Sequence, residues 1–189
     1  MFDTTIRFDG DRDVDVTMST ASLSGGWIIN DRWTVRASAG AIFDGELETA
    51  DGTIHAVDSG GLAGVGAEYR AVPGEAGALF VDLSLSLGWS WTRTEAGGGS
   101  GQEDYSAADA RLGVRSGWNI GDRFFPFLAL RAFGGPVNWR LDGEDVSGSD
   151  IHHYQAALGA AALIGRVAVF AEYAGLGEKA FSAGLSTSW

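Results

Sequence analysis

The stretch LFVDLSLSLGWSWT, residues 79–92, decides the fold. Leu79, Val81, Leu83, Leu85, Leu87, Trp89 and Trp91 fall on one side, and Phe80, Asp82, Ser84, Ser86, Gly88, Ser90 and Thr92 on the other. A period of two is that of a β-strand, whose successive side chains point to opposite faces of a sheet. If the leucines face a protein core, the sheet is an ordinary soluble one. If they face lipid, the chain is a membrane barrel and the serines line its interior.

The same alternation recurs. Trp33, Val35, Ala37, Ala39, Ala41 and Phe43 oppose Thr34, Arg36, Ser38, Gly40, Ile42 and Asp44. Ala108, Ala110, Leu112, Val114, Trp118 and Ile120 oppose Asp109, Arg111, Gly113, Arg115, Gly117 and Asn119, and the closing FSAGLSTSW repeats the pattern. Two kinds of connection alternate between these stretches. Short turns lie at Asn30, Val72, Gly121 and Gly165, and acidic, mostly longer segments begin at Asp9, Glu46, Glu95 and Leu141. An antiparallel meander would thus have tight turns at one end and long loops at the other, the asymmetry of transmembrane β-barrels. Strands are expected over residues 4–8, 14–29, 33–47, 55–71, 78–94, 105–120, 124–140, 151–164, 167–174 and 179–189. The expected fold is a single domain over residues 1–189: an all-β, closed, antiparallel up-and-down transmembrane β-barrel of ten strands, with eight as the alternative. Both termini are expected at the tight-turn end.

The residues opposite the apolar set include Arg36, Glu68, Asp82, Asp109, Arg111, Arg115, Arg131 and Glu172, set among Gly, Ser and Ala. Four arginines balance four carboxylates, which suits a narrow polar lumen where a charge must be paired to stay ionised. A soluble sandwich would instead place Lys, Glu, Gln and Thr on its solvent face. Aromatic residues gather near the strand ends. Trp27, Trp33 and Trp118 lie toward the tight turns and Trp89, Trp91 and Trp139 toward the long loops, as two membrane–water interfaces select.

Composition narrows the function. The 189 residues carry a net charge of −12, which opposes nucleic-acid binding. Lys179 is the only lysine among 13 basic residues, a bias toward arginines held by partners. The absence of cysteine excludes disulfides and thiolate metal sites. The best helical candidate for a membrane span, AALGAAALIGRVAVFA at 156–171, is interrupted by Gly159, Gly165 and Arg166 and falls short of about 20 apolar residues. Met1-Phe2-Asp3 has neither a basic start nor an apolar stretch, so an export signal is expected to have been removed ahead of it.

This pattern resembles the small bacterial outer-membrane β-barrels, such as the OmpA-like and OmpX-like membrane domains, over essentially the whole chain. The resemblance is one of architecture. It implies location in the bacterial outer membrane, contact with outer-membrane lipid and lipopolysaccharide, and insertion by the barrel-assembly machinery. Ser182, Gly184 and Trp189 resemble the terminal assembly signal of such proteins. Thr187 departs from it, since a hydrophobic residue is usual there.

No catalytic motif is strong. Asp150 stands beside His152 and His153, an arrangement that with Asp58 or Asp145 suggests a rim histidine base, as in omptin proteases. The lipid A deacylases carry His-x-Ser, which His55-Ala56-Val57 does not match. The acidic run from Asp9 to Asp15 fails the EF-hand pattern, with Val14 in place of the required glycine. The glycine-rich segment after Glu95 lacks the Gly-Lys-Ser/Thr of a phosphate loop and reads as a surface loop. The expected function is a non-enzymatic barrel with a salt-bridged lumen, serving envelope structure or binding a surface ligand through its acidic loops, without metal or cofactor. The alternatives are a narrow porin and a rim hydrolase.

Overall fold

The computed structural model describes residues 1–9, 12–96, 102–141 and 143–187. Its regular structure is thirteen strands: β1 Phe2–Phe8, β2 Arg12–Ile28, β3 Trp33–Thr49, β4 Ile54–Val57, β5 Gly60–Pro73, β6 Leu79–Ala96, β7 Gln102–Trp118, β8 Phe124–Gly134, β9 Val137–Leu141, β10 Glu144–Asp150, β11 Tyr154–Ile164, β12 Val167–Gly177 and β13 Lys179–Thr187. All pair antiparallel in one sheet. The alanine-rich stretch is a hairpin, β11 and β12, turned by Gly165 at φ 65°.

The pairings return to their starting strand. Followed in order, β1, β2, β3, β5, β6, β7, β8, β11, β12 and β13 form a ring of ten, with β1 joined to β13. Pairing of Leu85 with Leu112 and of Ala67 with Leu85 carries the parity of residues 79–92 into both neighbouring strands. The tight turns have local causes. Asn30 Oδ1 accepts hydrogen bonds from the backbone N–H of Arg32 (2.9 Å) and Trp33 (3.0 Å), bending the chain between β2 and β3. At the next corner but one, Gly121 and Asp122 both adopt positive φ, and Asn119 Oδ1 holds the Asp122 N–H at 2.9 Å.

The two ends of the ring differ. At the long-connection end the chain does not dissolve into loops. The strands run on, and β4, β9 and β10 add further pairing. Strand β10 occupies a segment expected to be a loop, and breaks at residues 58–59 and 135–136 divide two of the expected strands. The inward residues here form one apolar cluster from seven strands, including Phe8, Val16, Leu47, Tyr105, Trp139 and Val146. Trp139 is therefore not an interface aromatic. Only 1% of it is exposed, Phe8 and His55 pack on its ring, and its Nε1 donates to Thr94 Oγ1 at 2.9 Å. Trp139→Phe keeps most of the packing and leaves the buried Thr94 hydroxyl without this donor. We expect a loss of about 1–2 kcal/mol in chemical denaturation of the folded protein.

The amino terminus is also elsewhere than expected. Met1 sits opposite Phe181, with hydrogen bonds in both directions (3.3 and 3.0 Å), rather than at the tight-turn end. Strand β1 thus accompanies its neighbours only along the long-connection half. Below it, residues 19–28 of β2 pair with β3 alone, and residues 182–187 of β13 pair with β12 alone.

Candidate functional site

The ring turns its apolar side out and its charges in. Leu85 is 54% exposed on the outer face, in company with Leu23, Leu87, Leu112, Leu128, Leu130, Leu158 and Leu185. Trp27, Trp33, Trp89, Trp91 and Trp118 are exposed on that face too. The opposite parity puts all eight charges singled out above inside the ring, where they stand in two connected groups.

The first group spans β3, β5, β6 and β7. Asp82, 2% exposed, accepts from Arg115 Nη2 at 2.7 Å and from Arg70 Nε at 2.5 Å. Arg115 also reaches Glu68 Oε1 at 3.3 Å, and Arg36 approaches the same oxygen at 3.7 Å. The second group is longer. Arg111 donates to Asp109 (2.7 Å) and, through both terminal nitrogens, to the two oxygens of Glu178 (2.9 Å each). Gln155 joins Glu178 (2.8 Å) to Arg131 (2.6 Å), and Arg131 forms a two-pronged pair with Glu172 at 2.7 Å. This parallel-fork geometry is that of the stronger charge-assisted bonds. Five arginines and five carboxylates take part, so the two groups together balance in charge despite the acidic chain.

Three inward phenylalanines lie against these cations. Phe133 is 4.7 Å from the Arg111 guanidinium, Phe127 5.5 Å from Arg115 and Phe80 5.6 Å from Arg70, within cation–π range. Gly88 leaves the room that Asp109 fills, since a Cβ at Gly88 would stand 2.6 Å from Asp109 Oδ1. A cavity of about 490 Å³ remains inside the ring, bordered by Ile6, Val16 and Met18 on one side and by Asp109, Arg111 and Glu178 on another.

Arg70, Gln155 and Glu178 had not been anticipated. Arg70 shares the parity of Glu68, and that signal was sufficient to place it inside. Glu178 lies at the bend between β12 and β13, where no periodicity operates. Ser182 and Gly184 are on β13, with the Phe170 ring over Gly184; Trp189 lies outside the described residues.

The rim histidines are not assembled as a catalytic pair. Asp150 accepts from the His152 backbone N–H (2.7 Å) and from the Thr4 hydroxyl, while Asp145 pairs with Arg140 (3.0 Å). Neither the His152 nor the His153 imidazole has a hydrogen bond or ion pair among the described residues, and His153 sits at φ 31°. His55 is buried beneath Trp139, with Nδ1 3.6 Å from Glu103 Oε2. Within the acidic run, Arg7 clasps Asp13 (2.7 and 2.9 Å), and this hydrogen bond holds the Asp13 carboxyl below its ordinary range. No group of three or more metal-ligating side chains occurs among the described residues. No known family model matches the sequence, and no curated protein matches it either.

Proposed function

We propose that the chain is a transmembrane β-barrel of the bacterial outer membrane, of the small OmpA-like or OmpX-like kind, whose outer face meets lipid. The observation that carries this reading is the inside-out distribution of side chains. A ring that leaves leucine after leucine uncovered while enclosing ten paired charges has the polarity of a protein dissolved in hydrocarbon. Exposed tryptophans at both levels of the outer face suit the two interfaces of a bilayer.

The proposed role is non-enzymatic: a plugged barrel that serves envelope structure or presents its acidic long-connection end to a surface partner. Two observations favour a plug over a pore. The apolar cluster around Trp139 fills the interior at one end, and the charges further down are tied to each other across several strands. A narrow porin is the second reading, and the 490 Å³ cavity is the feature in its favour. Recording from the purified protein in planar bilayers separates them. The plug predicts no steady conductance, and voltage-stable unit steps would establish the pore in its place.

A further inference from the structure

The apolar cluster that fills the long-connection end stops at a cavity. Ile6, Val16, Met18, Ile42 and Leu62 border this space of about 490 Å³ on one side, and on another it meets the charged groups. The volume is in the range of small-molecule sites, which are mostly apolar with a few placed polar groups. Strands β6, β7 and β8, which carry Gly88, Asp109, Arg111 and Phe133, are paired on both sides at this level, so this wall is continuous sheet.

The charge around the cavity is not balanced. Glu68, Asp109, Asp150 and Glu178 border it, against Arg36 and Arg111. Arg36 lies on β3 and leans on Glu68. Asp150 is met by neutral donors, the Thr4 hydroxyl and the His152 N–H. In the second charged group Asp109, Glu172 and Glu178 share two arginines, Arg111 and Arg131. Both oxygens of Glu172 and of Glu178 are engaged. Asp109 is engaged through one. Its Oδ2 accepts from Arg111 Nε at 2.7 Å, and its Oδ1, which lies over Gly88, has no hydrogen bond among the described residues. The side chain is 34% exposed although it points into the ring, so the space it is exposed to is the cavity. A carboxylate oxygen without a donor is costly in an enclosed and largely apolar space.

We propose that the cavity binds a small organic cation, a protonated amine carried on an apolar body. The ammonium donates to Asp109 Oδ1, and the body lies against Ile6, Val16, Met18 and Ile42. Tyr105 and Phe133 add aromatic surface to the same space, which favours a cation further. The net charge of −12 draws cations toward the whole molecule. A bare metal ion does not fit, since no group of three or more metal-ligating side chains occurs among the described residues. An organic anion would leave Asp109 as it is and would face four carboxylates. The inference goes beyond the barrel's place in a membrane and holds in lipid or in water.

The test is an NMR titration of the folded protein, methyl-labelled on Ile, Val and Met, in buffer or in deuterated detergent, whichever keeps it monodisperse. The probe is phenylpropylamine, present from the start of refolding so that entry does not limit binding. Phenylpropanol and phenylpropionate carry the same body with a neutral and an anionic head. We expect the amine to shift the amides of Gly88 and Asp109, and its ring to give Overhauser contacts with the methyls of Ile6, Met18 and Ile42. Its affinity should exceed that of the alcohol by roughly tenfold or more, the worth of a hydrogen bond to a charged group, and the carboxylate should not bind there. Asp109→Asn keeps the shape and should remove the margin of amine over alcohol. Ala107→Phe fills the cavity from β7 without touching a charge and should abolish binding of both. This second variant and the probe series decide the matter even if Asp109→Asn does not fold. Four results would overturn the proposal: no binding of the amine; equal affinity for amine and alcohol; ring contacts confined to outer-face methyls such as Val65 and Val114; or amine binding unchanged by Ala107→Phe.

Discussion

Leu85→Arg is expected to destabilise the folded protein in a bilayer by about 2–4 kcal/mol, the cost of a cation on the proposed lipid face near the midplane. Leu85 lies at the centre of β6, paired outward with Ala67 and Leu112, with no carboxylate on the same face within either partner strand's matching position. An arginine there has no ion-pair partner and must carry its charge toward an interface. Ser84→Ala, one residue away, should change stability far less, because the Ser84 side chain enters the polar interior. Refolding titrations in lipid vesicles measure both. Similar effects at the two positions would mean that the faces are not in different media.

The second large effect concerns Asp82. Its carboxylate is the most enclosed of the interior charges and holds two guanidinium groups at once. Asp82→Ala leaves Arg70 and Arg115 with one shared acceptor fewer in a space of limited water. Breaking a buried pair from one side costs about 3–5 kcal/mol, because the orphaned partner is penalised as well. Both arginines retain some exposure to the cavity, so we expect a loss near the lower bound, about 3 kcal/mol. Asp82→Asn keeps the shape and one acceptor and should fall between. Shifts of the denaturation midpoint report all three proteins, and an unchanged midpoint for Asp82→Ala would mean that the network contributes nothing to stability.

What the sequence made legible follows from how strongly each position is constrained. In residues 79–92 a one-residue slip would exchange Leu83, Leu85 and Leu87 for serine or glycine, so register and facing are determined together. The same rule placed Asp109, Arg111 and Arg115 inside, and it would have placed Arg70 and Trp139 there as well. Counting by twos from Arg131 leads through Phe133 to Val137 and Trp139, so the parity of this stretch already points Trp139 inward. Strand β10 was not legible. EDVSGSD has the composition of a loop, offers the apolar cluster one residue, Val146, and becomes a strand because β9 and β1 present edges on either side. Glu178 was hidden for a related reason: a bend has no period, and its partnership with Arg111 exists only once β7 and β12 curve into one ring. The shortness of β1 was legible in the expected span 4–8, but its level in the ring was not, because parity does not say at which end a short strand sits.

The central claim is that the leucine face meets hydrocarbon and the serine face does not. The chain has no cysteine, so single substitutions Leu85→Cys and Ser84→Cys can each carry one nitroxide label in the protein reconstituted in lipid vesicles. Collision of the label with dissolved oxygen and with a water-soluble nickel chelate distinguishes the two media. The account predicts that the label at position 85 meets oxygen freely and is shielded from the chelate, while the label at 84 meets less oxygen than the label at 85. Ready access of the chelate to position 85, in a protein that stays monodisperse in plain buffer without any amphiphile, would contradict it.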